Sequence, residues 1–317
     1  MPILSVIMPV FNSASFLEES VNSVLSSTFK DLELILIDDG STDGSSAICD
    51  SLASGNERIR VYHQPNCGVS HARNKGLDVA QGSFVAFVDS DDLVDSRMYE
   101  KLLFATGPDC DITICDMLLR YHDRDVAQET FVLGRDRSQT IENLLLSTIG
   151  GGPCHMIVRH SLIGALRFPE HIHSGEDLWF TLRLFTSART ITKVNEPLYI
   201  YNQENCGSIT HSSDIIIEKS HIQGMEENRR YLEEVGLLDK VDSAFYWSIL
   251  RYKSRFALDP DRFVLYRTIV PEANRYLFSC PLLSIRVKAL MKMLDLHLDV
   301  CVRAILHRYQ SSGHCPS

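Results

Sequence analysis

The stretch FVAFVDSDD, at residues 84–92, joins an uninterrupted apolar run to three aspartates. An apolar run bounded by polar residues predicts a strand that is covered on both of its faces. Neighbouring carboxylates repel one another, so their grouping favours a cation site with oxygen ligands. A polar turn whose Asp and Ser residues cap the next helix explains the same residues. The stretch alone leaves both interpretations open.

Length and composition describe an acidic globular protein. The chain has 317 residues, of which 44% are hydrophobic and 23% charged, so it can form a core in one large or two modest domains. The formal net charge of -10 argues against a broad nucleic-acid surface, and we expect no nucleic-acid partner. An anionic substrate would therefore need a local positive device, such as a metal ion, a helix N-terminus or a few cationic side chains.

The cysteines and the N-terminus bear on the cellular compartment. Nine cysteines are scattered from Cys49 to Cys315 without a C-x-x-C pair, which favours reduced thiols over a disulfide framework or a zinc site. The opening MPIL lacks a basic region followed by a long apolar stretch, so we expect no signal peptide. No apolar run reaches membrane-spanning length. These features predict a cytoplasmic protein.

Strands alternate with helical patterns over the first third of the chain. The expected strands are 3–8, 32–37, 59–63 and 84–88, and the expected helices are 15–27, 43–53 and 69–80. Pro9 should stop the first strand, and Ser15-x-x-Glu18 is typical of a capping box. The alternation predicts a largely parallel sheet with helices on both faces. Because ligands bind beyond the carboxyl ends of such strands, the polar groups at 9–12, 38–43 and 89–92 should meet at one edge.

The middle of the chain mixes both patterns, and the last third is helical. We expect strands at 111–115 and 156–158, helices at 139–148 and 178–185, and two strands around a turn at 195–197. From about Asp214 the pattern is helical to the end, with a break at Asp259-Pro260. The sequence therefore predicts an α/β domain over residues 1–212 and a helical C-terminal region over 213–317.

Five short motifs follow one another through the first domain, whereas the Gly-rich P-loop and dinucleotide-binding signatures are missing from the sequence. The motifs are SVIMPVFN (5–12), IDDGSTDG (37–44), NxGVSxARNxG (66–76), DSDD (89–92) and GEDLWF (175–180). In this order and spacing they resemble the family 2 glycosyltransferases with the GT-A fold, over residues 3 to about 210. The resemblance implies a Rossmann-like, mostly parallel sheet with flanking helices. Its nucleotide-sugar half would cover about 1–115 and its acceptor half about 116–212.

The resemblance also implies an inverting hexosyltransferase that moves a sugar from a nucleotide-diphosphate sugar, a UDP-sugar first of all, to an acceptor hydroxyl. It places these residues against the nucleotide-sugar: Pro9, Val10, Phe11, Asn12, Asp39, Arg73, Asn74, Asp89, Ser90 and Asp91. The carboxylate of Asp39 can accept from the uracil imide N–H, and we expect Asp38 to be structural. The helix that contains Arg73 offers its N-terminus to an anion. For Arg73, pairing with an acid at the edge of the core explains the sequence equally well.

The pair Asp89-x-Asp91 matches the D-x-D motif of that family. Carboxylates and phosphates are both anionic, so a divalent ion between them, Mn²⁺ or Mg²⁺, would remove the repulsion and stabilise the leaving group. By resemblance Asp91 binds the ion, while Asp89 contacts the ribose or the water ligands of the metal. Asp92 is expected to be only an N-cap.

The pair Glu176-Asp177 matches the E-D motif at the head of an acceptor-side helix. By resemblance Asp177 is the general base that takes the proton of the acceptor hydroxyl, with Glu176 and Trp179 on the acceptor side. A capping pair at a helix N-terminus, where acids are favoured, is the structural alternative. In the closing segment Asn202 stands where many members have an Arg, and His211 is expected to face solvent.

The tail from Leu282 to Tyr309 mixes apolar residues with five Lys and Arg. It predicts either helices packed on the catalytic domain or a basic amphipathic helix on the anionic inner face of the cytoplasmic membrane. Membrane contact would suit a lipid-linked saccharide acceptor in bacterial polysaccharide, capsule or glycolipid assembly. Two other functions remain open at this point. One is a phosphohydrolase of the haloacid dehalogenase type, and the other is a catalytically silent nucleotide-sugar-binding protein.

Overall fold

The computed structural model describes residues 2–204 and 215–311 of the chain. They form two compact units. The first contains the chain up to Thr140 and Ser147–Gly224, and the second contains Ile141–Leu146 and the chain from Met225 onward. The boundary that we expect at residue 212 falls in the segment 205–214, outside the described residues, so it stays a prediction.

Nine strands of the described residues belong to one sheet in the first unit. They are β1 (Leu4–Val10), β2 (Leu32–Asp38), β3 (Ile59–His63), β4 (Phe84–Phe87), β5 (Leu93–Val94), β6 (Ile112–Tyr121), β7 (Arg124–Gln128), β8 (Met156–Arg159) and β9 (Ile191–Asn202). Their order is β3-β2-β1-β4-β8-β6-β9-β5, and β7 pairs with β6. The first four strands are parallel, whereas β8 is antiparallel to both of its neighbours. The sheet is therefore of the predicted α/β type, with a mixed second half.

Helices lie between and after these strands. They are α1 (Leu17–Leu25), α2 (Ser45–Gly55), α3 (Val69–Val79), α4 (Met98–Ala105), α5 (Arg137–Leu146), α6 (His160–Ile163), α7 (Glu176–Ser187) and α8 (Ile215–Glu234). All seven residues of β1 and of β2 are buried, as expected for strands covered on both faces. A Cβ on Gly76 of α3 would lie 2.3 Å from Cγ2 of Ile7 in β1. Only glycine lets α3 approach the sheet so closely.

The polar groups at the ends of β1, β2 and β4 share one edge of the sheet, as predicted. Val10 is in register with Asp38, and Ile7 with Phe87. The backbone N–H of Asp39 donates to the carbonyl of Val10 at 2.9 Å, which holds the first two strand ends together. Parallel strands in this register bring residues 9–12, 38–43 and 89–92 to the same edge.

Two local predictions at the start of the chain are wrong. The first helix has no capping box, because α1 begins at Leu17 and no side chain caps it. The carbonyl of Ser13 accepts from the N–H groups of Phe16 and Leu17 instead, each at 2.9 Å. Pro9 does not stop β1, which continues to Val10. Pairing with β4 ends two residues earlier, so the missing N–H of Pro9 removes no bond of that ladder.

The two strands expected around 195–197 are one strand, β9, in which Asp116 of β6 pairs with Pro197 after Cys115 has paired with Val194. The pairing register shifts at this point, so the residues between Val194 and Pro197 form a bulge within one strand rather than a turn between two.

The second unit is helical. Besides the ends of α5 and α8, it contains α9 (Leu238–Ala257), α10 (Phe263–Thr268), α11 (Ile285–Asp295) and α12 (Asp299–Ser311), with short 3₁₀ helices at Pro260–Arg262 and Pro271–Tyr276. The predicted break at Asp259-Pro260 is confirmed, since α9 ends just before it. Among the described residues, no helix is both long and apolar enough to cross a membrane.

Candidate active site

Arg73 lies at the centre of the candidate site. Its side chain, on the second turn of α3, is only 3% exposed. Nη2 donates to Oδ1 of Asp89 at 3.0 Å, and Nη1 donates to Oδ1 of Asp177 at 2.6 Å and to Oε1 of Glu176 at 3.3 Å. One guanidinium therefore joins the acid after β4 to both acids at the start of α7, which lie 103 and 104 residues further along the chain from Arg73.

Aromatic rings hold this guanidinium in place. The Arg73 side chain lies over the ring of Phe168, 5.3 Å from its centroid. Phe168 stacks on Phe180 of α7 at 3.9 Å and meets Phe87 edge-on at 5.3 Å. Because Phe87 ends β4 and Phe180 belongs to α7, the rings fix β4 and α7 against the same cation.

The charges around Arg73 perturb its partners. Burial alone would lower the pKa of Arg73, but the negative charges of Asp177 and Asp89 outweigh it and raise that pKa well above its usual value. A third of the Asp177 side chain, 34%, is exposed. Burial of the carboxyl still raises the pKa of Asp177 to about 7. The positive charge of Arg73 lowers this pKa, and the negative charge of Glu176 raises it. A carboxyl that titrates near neutral pH is suited to general base catalysis.

The acidic loop after β4 divides its side chains among different partners. Asp89 accepts from Arg73 and, at Oδ2, from the thiol of Cys154 at 3.5 Å. Ser90 is buried and bonds through Oγ to Oγ of Ser13 at 2.6 Å. Asp91 is half-buried at the turn. The predicted contact of Ser90 with the nucleotide-sugar stays a prediction, since its hydroxyl already joins this loop to the chain after β1.

Asp92 is not an N-cap, which corrects the expectation from sequence. The next helix, α4, begins six residues later, at Met98. Asp92 is buried and accepts from the hydroxyl of Tyr199 at 2.5 Å and from the N–H of Asn202 at 2.8 Å. Burial raises the pKa of Asp92 well above its usual value, and the charges of Asp89 and Asp91 act in the same direction. Its role in the structure is to tie β9 to the acidic loop.

The carboxylates of this loop fit a divalent ion whose remaining ligands would come from a diphosphate and water. Within the described part of the chain, no three His, Cys, Asp or Glu side chains gather to hold a metal by themselves. Mg²⁺ in nucleotide sites is commonly held by one or two carboxylates together with phosphate oxygens and water. Asp89 and Asp91 match that arrangement, and carboxylate oxygens also suit Mn²⁺.

The predicted nucleotide side lies at the ends of β1 and β2. Pro9 and Val10 are buried in β1, whereas Phe11 is 47% exposed beyond it. Asn12 has a left-handed backbone, φ 48°, and its Oδ1 accepts from the N–H of Thr42 at 2.8 Å. The exposed ring of Phe11 is therefore presented by a turn that a side-chain hydrogen bond fixes.

Asp39 is buried and accepts from the N–H groups of Cys67 at 2.9 Å and Gly68 at 2.8 Å, and from the amide of Gln64 at 2.7 Å. The carboxylate thus organises the loop that leads into α3. Its predicted contact with a nucleobase stays a prediction. Asp38 accepts from the N–H of Ser41 and is structural, as expected.

Asn74 binds the loop that precedes α7. Its Nδ2 donates to the carbonyl of Phe168 at 2.9 Å and to Glu170 at 3.1 Å, and its Oδ1 accepts from the N–H of Phe168 at 2.8 Å. Both polar groups are engaged by the loop before α7. A nucleotide contact of Asn74, which stays a prediction, would require one of these bonds to be given up.

The start of α7 is fixed by Gly175 of the GEDLWF motif together with residues outside the motifs. Gly175, with φ +82°, precedes the helix, and a Cβ there would lie 3.0 Å from Nδ1 of His221 in α8. The same imidazole nitrogen is 3.0 Å from Oγ of Ser174, and the N–H of His173 donates to Oγ of Ser220 at 2.6 Å. The first turns of α8 therefore set the position of the loop that ends at Glu176.

Trp179 lies on a different side of α7 from Asp177, since two residues correspond to about 200° of helix. Its ring is covered by the guanidinium of Arg183, 3.4 Å from the ring centroid. Its predicted place on the acceptor side stays a prediction. In the closing segment, Asn202 accepts through Oδ1 from the N–H of Glu204 at 3.0 Å. The rest of that segment, with His211, lies outside the described residues.

Comparisons with known proteins show the family of the chain. A family model described as Glycosyl transferase family 2 matches residues 5–164. The protein named Glycosyltransferase GlyG, from Streptococcus pneumoniae serotype 4, is 30% identical over 221 residues, which are 65% of this chain and 72% of GlyG. The match of the family model covers the elements that carry Arg73 and the acidic loop.

Two solved structures share the fold. S. aureus TarS 1-349 in complex with UDP-GlcNAc has a TM-score of 0.72 at 20% identity, covering 99% of this chain and 93% of that one. The mannosyltransferase PcManGT from Pyrobaculum calidifontis, in complex with GDP-Man and Mn²⁺, has a TM-score of 0.56 at 16% identity, covering 96% and 83%. The GT-A expectation from sequence is thus confirmed.

Proposed function

The chain belongs to glycosyl transferase family 2, and on that premise we propose that it transfers a sugar, with inversion, from a UDP-sugar to an acceptor hydroxyl, with Asp177 as the general base. The observation that carries the proposal is the joining of Asp89 and Asp177 by one buried guanidinium. A transferase needs the donor diphosphate and the acceptor hydroxyl side by side, and Arg73 brings the acids proposed for each into one cluster.

On the donor side, Asp91 and Asp89 would hold Mn²⁺ or Mg²⁺ together with the diphosphate. Such an ion supplies positive charge for the developing UDP leaving group. Phe11, Asn12 and Asp39 lie at the neighbouring strand ends, where nucleotides bind in sheets of this topology. The complexes of TarS with UDP-GlcNAc and of PcManGT with GDP-Man are consistent with a nucleotide-sugar in this fold.

On the acceptor side, Asp177 would accept the proton of the attacking hydroxyl. Its Oδ1 is engaged by Arg73, while a Cβ placed on Gly152 would lie 3.5 Å from Oδ2, in ordinary van der Waals contact. The absent side chain of Gly152 leaves room beside that oxygen. Direct displacement by the activated hydroxyl inverts the anomeric centre and requires no sugar–enzyme bond.

The acceptor is proposed to be a saccharide or lipid-linked saccharide of bacterial surface polysaccharide or glycolipid assembly, acted on in the cytoplasm. Neither alternative function gains support from a specific contact. A phosphohydrolase of the haloacid dehalogenase type would need its nucleophilic acid after an early strand, whereas the acidic loop follows β4. A silent binder has no need of an acid at the start of α7 that shares the guanidinium of Arg73 with Asp89.

The test is a transfer assay with a panel of UDP- and GDP-sugars and saccharide acceptors, read as nucleotide release and product linkage. We expect Asp177→Asn to lower kcat roughly 10²–10⁴-fold while UDP binding persists, as for loss of a general base. Its matched control is Asp78→Asn, an acid that is 56% exposed and pairs with Arg167. Near wild-type transfer by a folded Asp177→Asn protein would overturn the base assignment. UDP binding that does not strengthen with Mn²⁺ or Mg²⁺ would overturn the metal assignment.

A further inference from the structure

The last two helices of the second unit present cations to solvent. Between Leu282 and Arg308 the chain has five Lys and Arg but only two Asp, although its formal net charge is -10. Both aspartates bond to other side chains of the second unit. Asp295 accepts from the hydroxyl of Tyr266 at 2.9 Å and from Asn274 at 2.7 Å, and Asp299 pairs with Arg267. Arg286, Lys292 and Arg308 are exposed, so this surface is locally cationic.

Apolar side chains stand among these cations. In α11 the core-facing residues Val287, Leu290, Met291 and Leu294 are buried. The opposite side carries Ile285, 73% exposed, and at helical spacing Ala289, Lys292 and Leu296, the last 59% exposed. Val300 at the start of α12 is 80% exposed. The outward side of a helix that meets only water is normally polar, so this one is unusual.

An aromatic side chain whose backbone bonds to α11 is also exposed. Phe278 is 63% exposed, and its carbonyl accepts from Nζ of Lys288 in α11 at 3.2 Å. The bond places the backbone of Phe278 beside Lys288 of α11. Exposed apolar groups rimmed by Lys and Arg are the composition of helices that lie in the headgroup region of a membrane.

We infer that this surface, named here the basic face and defined by Phe278, Ile285, Arg286, Lys292, Leu296 and Val300, docks on an anionic lipid bilayer. A second copy of the chain is a poorer occupant, because a two-fold dimer through the basic face would place cations against cations. The bilayer offers negative charge and a fluid apolar layer that accepts single projecting side chains. This inference goes beyond the proposed transfer reaction and does not depend on it.

The experiment is co-sedimentation of the full chain with vesicles of phosphatidylcholine containing phosphatidylglycerol, against vesicles of phosphatidylcholine alone. We expect binding to the anionic vesicles only, released by raised salt because the charges are exposed. Each Lys or Arg near such a surface contributes roughly 5-fold in partitioning, so Arg286→Gln with Lys292→Gln should weaken binding about 25-fold. Ile285→Ser with Val300→Ser should weaken it roughly 10-fold or more through lost apolar contact.

The matched control is Val235→Ser with Lys240→Glu, at an exposed valine and lysine of the same unit that lie near Glu233, Glu234 and Asp239. This control should bind like wild type, and all variants should keep wild-type melting temperatures and transfer to a soluble acceptor. Absence of wild-type binding, equal binding to both vesicles, or equal losses in the control would overturn the inference. A wild-type dimer that dissociates in Ile285→Ser with Val300→Ser would overturn it in favour of self-association.

Discussion

Replacing Arg73 by Gln should move the acid limb of the kcat–pH profile upward. Arg73 donates to Asp177 at 2.6 Å and lowers the pKa of that carboxyl, against burial and the charge of Glu176, which leave it at about 7. Without the cation, the pKa of Asp177 rises, so the base is protonated over a wider range of pH. The direction follows from the loss of an opposite charge that stabilises the ionised form.

The magnitude can be worked from the contact. A neighbouring Arg lowers a carboxyl pKa by roughly 1–3 units, and we take the lower end because 34% of the Asp177 side chain is exposed to screening solvent. A rise of about 1 unit takes the ionised fraction at pH 7 from about one half to about one tenth, a roughly 5-fold loss of kcat from protonation alone. Near pH 9 both proteins have an ionised base, so this part of the loss should disappear.

The assay is nucleotide release at saturating donor and acceptor from pH 6 to about 9.5, the range over which the base titrates. Arg73→Lys keeps a positive charge but not the fork that spans Asp89 and Asp177, so it should lower kcat with little shift of the profile. Arg167→Gln removes a half-exposed guanidinium that pairs with Asp78, and it should change neither quantity. An Arg73→Gln profile whose acid limb stays in place or moves downward would refute this account of Asp177.

Three further predictions concern stability. Burial lowers the pKa of His155 from its usual 6.5 to about 4. As the pH falls from 6.5 to 4, the unfolded chain therefore binds a proton at this residue that the folded chain does not. The free energy of unfolding should fall by about 3 kcal/mol over this range. Urea titrations at both pH values should show this fall, and His155→Phe should abolish it. Gly175→Ala should lower the melting temperature and kcat more than Gly164→Ala, because both have positive φ but only Gly175 also meets an imidazole at 3.0 Å. Gly76→Ala should lower the free energy of unfolding by roughly 1–3 kcal/mol. The double variant Gly76→Ala with Ile7→Ala should lose less than the sum of the two single variants, because Ile7→Ala removes the methyl that the new Cβ meets.

The parallel half of the sheet could be predicted from sequence because β1, β2 and β4 are mostly apolar and each is followed by a polar motif. β2 and β3 lie within a residue of their expected ends. The bulge in β9 could not be predicted, because it depends on Pro197 meeting Asp116 of β6. The capping box failed for a similar reason, since the chain before α1 is held by Ser13 and by the bond of its amide to Ser45, 32 residues away.

In the site, too, the motifs predicted which residues are present, whereas their contacts depend on the packing of the fold. The motifs identified the acids, yet they left open whether Arg73 meets the nucleotide or an acid at the edge of the core. The structure shows the pairing with acids, and removing any of the three carboxylates would leave a guanidinium that is 3% exposed without full compensation of its charge. A contact of Arg73 with the nucleotide-sugar stays a prediction. The pairing with acids depends on Phe168, whose ring lies over the guanidinium and whose backbone is held by Asn74, one residue along α3. Two adjacent residues of α3 thus fix the loop before α7 and the charge on α7 together, so a change that shifts α3 should disturb donor and acceptor sides at once.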